Sequence, residues 1–339
     1  RRKKSLLDNV AIVALHKLGD TVFTIPALQE YILNSSSHIT VICFQHSEKI
    51  YRQILTDINY LILDKSDFHF DGRIASSKAR TKLKSLQSDT IIDLKGSIVS
   101  ASLIFNSRCH KIFGINEIYF KGIYDGYQPI RTTPHQIDIY FDAIKTIIPA
   151  VKNNFAGYPV EYTKDKTILI QPLAGWESKE WGLVKFIKLY HRLSSEHKCA
   201  FILQDDSITS DVTFQLMDEN VKIIQSNSIE ILFNEIVECS LFISNDSGPL
   251  QIAALLGKPT FSIYGPTNPT FHLPIGKFHQ FSRKTLKCSP IIEKYCFADG
   301  GDSCPHNDCL ELLTVDEVYN GITKFISELK DHFSQDKGK

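Results

Sequence analysis

Short runs rich in Val and Ile alternate with amphipathic segments of helical length along this chain, and the alternation stops once and then restarts. Uninterrupted apolar runs suit strands buried on both faces, which a parallel sheet covered by helices provides. The first series predicts strands at 10–15, 39–44, 60–63, 90–94 and 111–115, with helices at 22–33, 48–55, 76–86, 98–105 and 136–148. Residues 149–165 hold Pro149, Asn153, Asn154, Gly157 and Pro159 without a helical period, which reads as a linker. The second series predicts strands at 166–171, 199–204, 221–225, 241–245 and 260–264, with helices at 181–194, 211–217, 229–237 and 249–256. A last helix is expected over 315–332, with Thr314 and Glu317 at capping-box spacing. The expected class is α/β, two doubly wound Rossmann-like domains facing a central cleft, with boundaries at 1–150, 151–313 and a terminal helix and tail at 314–339.

Composition narrows the function. Thirty-eight Lys and Arg balance 38 Asp and Glu, so a chain-wide basic field for nucleic acid is excluded. No apolar run approaches the length of a membrane-spanning helix, and the expected location is the cytoplasm. Eight Cys in such a chain suggest reduced thiols or a metal site rather than a disulfide framework. No G-x-G-x-x-G follows a strand, and neither a phosphate-binding P-loop nor a G-x-S-x-G is present. Dinucleotide oxidoreductases, P-loop NTPases and the usual serine hydrolases lose their support.

In open parallel sheets ligands sit beyond the carboxyl ends of the strands, and three such loops stand out. The first, 15–21, contains Gly19 and Asp20. Asp20 is either an N-cap, which spacing alone favours, or a general base for an incoming hydroxyl. The second runs from Ser244 through Asp246, Ser247, Gly248, Pro249 and Gln251, where a strand end meets a helix start suited to a phosphate; Asp246 could equally cap that helix. Gly265 and Thr267, after the next strand, would form the adjacent wall. The third loop carries Lys179, read either as a counter-charge for a pyrophosphate or as a solvated surface residue. Both Trp residues flank it, and Trp181 reads as core.

Taken together these loops resemble the family 9 glycosyltransferases, the heptosyltransferases of lipopolysaccharide core synthesis. The matching pieces are LGDTVFTIPAL at 18–28, DLKGS at 93–97, GWESKEW at 175–181 and SNDSGPLQIAALLGKPTFSIYGPTNP at 244–269. The resemblance implies a GT-B fold and an inverting transfer of heptose from ADP-heptose, or another nucleotide sugar, with no cofactor required. It assigns Asp20 as the base, against the capping preference. Lys179, Asp246, Ser247, Gly248, Pro249, Gln251, Gly265 and Thr267 fall to the donor, and Gly19, Asp93 and Lys95 to the acceptor. Gln251 departs from the family's usual His. Asp205 or Asp206 would hold a ribose hydroxyl. The implied acceptor is a lipopolysaccharide inner core, Kdo-lipid A or core heptose; a protein acceptor and a non-catalytic nucleotide-sugar binder are the alternatives.

Cys288, Cys296, Cys304 and Cys309 fall within 22 residues, separated by seven, seven and four others. A structural zinc or iron site is one reading, although no C-x-x-C is present, and reduced or partly oxidised structural thiols are the other. Residues 1–150 carry 19 Lys and Arg against 14 Asp and Glu, and residues 151–339 carry 19 against 24. The basic groups at Arg1 to Lys4 and at Lys78, Arg80, Lys82 and Lys84 suit an anionic glycolipid and peripheral contact with the inner membrane, or are solvated faces.

Overall fold

The computed structural model describes residues 8–115, 121–128, 135–205, 208–217, 219–296, 304 and 306–335. Arg1 to Lys4 and Asp206 lie outside them. The chain divides into two compact units between Phe155 and Ala156.

The N-terminal unit begins with β1 (Asn9–Val13), α1 (Leu18–Leu33), β2 (His38–Phe44), α2 (Gln45–Ile54) and β3 (Asn59–Leu63). A short hairpin follows, β4 (Phe68–His69) with β5 (Ile74–Ala75), and then α3 (Ser77–Ser85), β6 (Thr90–Asp93), α4 (Ile98–Ile104), β7 (Lys111–Gly114), β8 (Gly126–Tyr127) and α5 (Gln136–Lys145). Its sheet is parallel, in the order β3-β2-β1-β6-β7-β8, with Val10 opposite Ile39 on one side and Thr90 on the other. The switch of direction therefore lies between β1 and β6, whose carboxyl ends carry the loops with Asp20 and Asp93.

The C-terminal unit repeats the plan. It contains β9 (Thr167–Gln171), α6 (Leu183–Ser194), β10 (Cys199–Gln204), α7 (Ser210–Leu216), β11 (Ile223–Ser226), α8 (Ile229–Val237), β12 (Cys239–Asn245) and α9 (Gly248–Leu255). It ends with β13 (Thr260–Tyr264), α10 (Pro269–His272), β14 (His279–Arg283), α11 (Asp308–Glu311) and α12 (Val315–Gln335). The parallel order is β11-β10-β9-β12-β13-β14, so its switch lies between β9 and β12.

Each unit has its own apolar core. In the second, Trp181 is 1% exposed, packs with Phe186 and Phe201, and gives its indole N–H to the Leu313 carbonyl at 2.8 Å. The last helix, set apart in the sequence as 314–339, buries Val318, Ile322, Phe325 and Leu329 in this same core. Its start is capped as the spacing predicts: the Thr314 amide and hydroxyl donate to Glu317, whose amide donates back to the Thr314 hydroxyl.

Two differences from expectation have physical causes. Helix α1 starts at Leu18, four residues before the predicted 22, and continues through Pro26. The hydroxyls of Thr21 and Thr24 are buried, bonded at 2.8 Å to Ser47 and at 2.7 Å to Tyr51 of α2, so tertiary hydrogen bonds extend the helix where propensity is weak. Strand β14 has a mixed sequence, HQFSR, with no alternation strong enough to read, and forms by pairing with β13.

Gly257, just after α9, is a point where the fold tolerates no side chain. Its φ is +71°, and an added Cβ would lie 2.5 Å from the Pro159 carbonyl oxygen. Gly182, with φ +105°, has open space around it. Gly257→Ala is expected to destabilise the C-terminal unit by about 2 kcal/mol or more, and Gly182→Ala by less, because only the first adds a backbone collision to the strain of positive φ. Both tryptophans lie in this unit, so urea unfolding followed by tryptophan emission measures it. Equal losses would show that the Pro159 backbone yields freely.

Candidate active site

Three loop ends meet within the C-terminal unit, at the carboxyl side of β9, β12 and β13. Asn245, the last residue of β12, fastens the first two. Its side-chain carbonyl accepts from the Trp181 amide at 3.0 Å, and its NH₂ donates to the Pro172 carbonyl at 2.7 Å. The loop between those contacts carries a 3₁₀ turn over Glu177–Lys179. From that turn the Lys179 ammonium reaches Asp246, with Nζ 2.7 Å from Oδ2. Thr267, fully buried after β13, donates to the same oxygen at 2.9 Å. Asp246 is 7% exposed. Burial pushes its pKa up, but the Lys179 charge, His272 and these hydrogen bonds outweigh it and hold the carboxyl below its ordinary value. Asp246 also helps raise the buried Tyr264 hydroxyl well above its usual range.

The other residues assigned to the donor shape this turn. Ser247 is the N-cap of α9, accepting from the Leu250 amide, and its hydroxyl donates to Gln171 at 3.1 Å. Gly248 and Pro249 occupy the first turn, where proline costs no helical donor. Asp246 itself does not cap α9; its carboxylate is taken up by Lys179 and Thr267. Gln251 is buried and donates to the His272 carbonyl at 2.7 Å, tying α9 to α10. Gly265 lies so close to Leu310 that a Cβ would meet its side chain at 2.6 Å.

In the N-terminal unit Lys17, not Asp20, is the N-cap of α1, and Asp20 is a partly buried residue of the first turn beside Gly19. Asp20 lies near Tyr140 of α5: burial first, and then this carboxylate, raise the Tyr140 hydroxyl well above its ordinary pKa. Asp93 has a different character. It is fully buried, and one oxygen accepts from the amides of Lys95 at 2.9 Å and Gly96 at 3.1 Å, while the other accepts from Tyr124 at 2.7 Å. Burial raises its pKa and these hydrogen bonds only partly offset the effect. Asp93 thus closes the 93–96 turn from inside, and Lys95 is the partly exposed member of that loop.

The basic series on α3 is divided. Lys82 is paired with buried Asp67 at 2.7 Å and Arg80 donates to the Ala75 carbonyl at 2.7 Å, leaving Lys78 and Lys84 exposed. Among the described residues no helix is long and apolar enough to cross a membrane.

The thiols of Cys288, Cys296, Cys304 and Cys309 are all free. The Asn307 amide donates to Cys304 Sγ at 3.4 Å. Burial pushes the Cys309 thiol up to about 11, with the neighbouring cysteines adding to the shift. Among the described residues no three His, Cys, Asp or Glu side chains gather as metal ligands.

Sequence reasoning missed Asn245 as the clamp, and His272 and Tyr295 as neighbours of the pair. The Asn245 position was visible as a polar residue at a strand end; the other two carry no local signal, because their partners are distant in sequence.

The ion pair has a measurable pH signature. A carboxyl held below its unfolded value of ~4 contributes stability that is fully present above that pH and is lost as pH falls through the lower folded value. Asp246→Asn is expected to destabilise the C-terminal unit at pH 7 by about 1–3 kcal/mol, less than a wholly buried pair because the ammonium keeps some contact with water. In urea unfolding at a series of pH values the gap from the wild type should narrow below pH ~4. A gap that stays constant would mean that shape, not charge, is what Asp246 provides.

Comparison with known proteins agrees with this architecture. The model of glycosyltransferase family 9 (heptosyltransferase) matches residues 135–300. Lipooligosaccharide heptosyltransferase 2 of Campylobacter jejuni is 27% identical over 175 residues, 49% of this chain and 54% of that protein. The chain thus spans about half the length of the curated relatives it matches. E. coli ADP-heptose LPS heptosyltransferase II superposes with a TM-score of 0.72 at 13% identity, covering 95% of this chain and 99% of the other. The iron-containing dodecameric glycosyltransferase TibC of enterotoxigenic E. coli gives 0.59 at 11%, covering 95% and 77%. The two parallel-sheet α/β units are those of GT-B heptosyltransferase structures. Its motifs, its fold and the family-model match over residues 135–300 agree in supporting a heptosyltransferase-like protein of glycosyltransferase family 9.

Proposed function

We propose that this protein transfers heptose from ADP-heptose to a lipopolysaccharide inner-core acceptor, Kdo-lipid A or core heptose, with inversion at the anomeric carbon and Asp20 as general base. The observation that carries the reading is the Lys179–Asp246–Thr267 constellation at the switch point of the C-terminal sheet, beside the N-terminus of α9. A diphosphate needs fixed positive potential there, and both an oriented ammonium and a helix N-terminus supply it.

The roles follow from the chemistry of each group. The Lys179 ammonium has three N–H donors, and the bond to Asp246 uses one while fixing its position. The remaining donors suit phosphate oxygens. As the bond between the anomeric carbon and the phosphate oxygen breaks, charge grows on the departing ADP, and Lys179 with the α9 amides stabilises it. Asp20 removes the proton from the acceptor hydroxyl as its oxygen bonds to the anomeric carbon, so that glycoside, ADP and one proton are the products. Gly19 and Lys95 are proposed acceptor contacts, and Asp93, buried as it is, holds the loop that presents Lys95. No step of the proposed transfer uses a metal.

The cytoplasm and the inner face of the inner membrane are the proposed setting, where an anionic glycolipid acceptor would meet the more basic N-terminal half. Asp20→Ala should lower ADP release from ADP-heptose plus acceptor by about 10²–10⁴-fold, while calorimetric binding of ADP stays within about twofold of the wild type. Undiminished turnover would remove Asp20 as the base. Failure of the wild type to bind or turn over any nucleotide sugar would remove the transferase reading.

A further inference from the structure

Trp176 and Tyr295 are large aromatic residues that the apolar core of the C-terminal unit does not take up. Both are half-exposed, whereas Trp181, five residues after Trp176, is enclosed. Their rings lie 5.9 Å apart with planes inclined at 42°. The Lys179 ammonium stands 4.5 Å from the centre of the Trp176 ring, and the His272 ring lies 6.1 Å from Tyr295. Trp176 therefore borders the Lys179–Asp246 pair directly, and Tyr295 adjoins it through Trp176, His272 and Thr267.

Tyr295 is held there by backbone and side-chain bonds. It forms a β-bridge with Thr267, the residue whose hydroxyl bonds Asp246. On either side, the Asn268 amide donates to the Lys294 carbonyl at 3.0 Å and the Cys296 amide to the Pro266 carbonyl at 2.9 Å. The Asn268 side chain donates to the carbonyls of Ile291 and Glu293 at 3.1 and 3.0 Å. A segment without regular structure is thus pinned so that one aromatic ring faces the loop after β9. Aromatic surface left at the edge of a polar pocket is costly in water and gains when a ligand with an apolar face covers it.

We propose that Trp176 and Tyr295 form a shelf for the transferred sugar of the donor, whose C–H face would lie on the rings while Lys179 and the α9 N-terminus hold the diphosphate. This inference rests on the transferase reading above. Strand order selects the sugar rather than the base. Tyr295 is fastened to the loop after β13, on one side of the switch between β9 and β12, and Asp205, the expected ribose contact, follows β10 on the other side. A nucleoside and a sugar leave a diphosphate from opposite ends, so a nucleoside over β10 directs the sugar toward β13.

The test compares calorimetric binding of ADP-heptose and of ADP to the full chain and its variants. Trp176→Ala and Tyr295→Ala should each weaken ADP-heptose by about five- to tenfold and ADP by less than about twofold, and Trp176→Phe should restore most of the loss. Trp181 emission and circular dichroism report whether each variant is folded; if Trp176→Ala is not, Trp176→Phe and Tyr295→Ala decide the matter. Equal weakening of both ligands, or no weakening of either, overturns the shelf while the transferase reading stands. A wild type that binds neither ligand overturns the transferase reading and the shelf with it.

Discussion

The C-terminal site depends on one interaction, the ion pair between Lys179 and Asp246. A carboxylate that is 7% exposed could not stay ionised without a partner, and an ammonium at the end of four methylenes would not hold one position without an anchor. Each group solves the problem of the other. Asn245 brings the pair together by joining the loop after β9 to the end of β12, and Thr267 adds a second donor to Asp246 from the loop after β13. Loss of Lys179 would leave the buried Asp246 charge uncompensated, and the Asn245 and Thr267 bonds support the pair. The Gln251 bond to the His272 carbonyl extends the same network, fixing α10 against α9.

The N-terminal unit uses buried polar groups in a different way. Thr21 and Thr24 lock α1 to α2 through hydroxyl bonds, which fixes the first turn of α1 and with it Asp20. Asp93 turns inward and spends its acceptors on the amides of its own loop and on Tyr124. Two aspartates that follow or end adjacent strands, Asp20 in the first turn of α1 and Asp93 at the end of β6, thus have opposite characters. Asp20 is only partly buried, while Asp93 is a buried brace for the loop that follows it.

The doubly wound architecture was legible in the sequence because strands buried on both faces must be apolar throughout, and helices that cover them must be apolar on one side. Runs such as 39–44 and 199–204 therefore announce themselves, and the alternation stops over residues 149–165, the stretch within which the two units divide. Strand ends followed by small polar residues marked the loops of Asp20, Lys179 and Asp246 for the same reason: in parallel sheets ligand loops follow carboxyl ends. Helix α1 began early and β14 went unread because hydrogen bonds to other elements, rather than local pattern, decide both.

Alternation, strand-end chemistry and motif order determined the fold class, the family and the residues to examine, since those properties are local and repeat along the chain. Tertiary structure decided what each residue does. Asp246 and Lys179 lie 67 positions apart, and only the crossing of β9 to β12 makes them an ion pair. Asp93, a proposed acceptor contact in sequence, is enclosed by the amides of its own loop and by Tyr124. Trp176 and Trp181 sit five residues apart, yet only the second enters the core, because burial depends on which elements pack around a side chain and no local spacing records that.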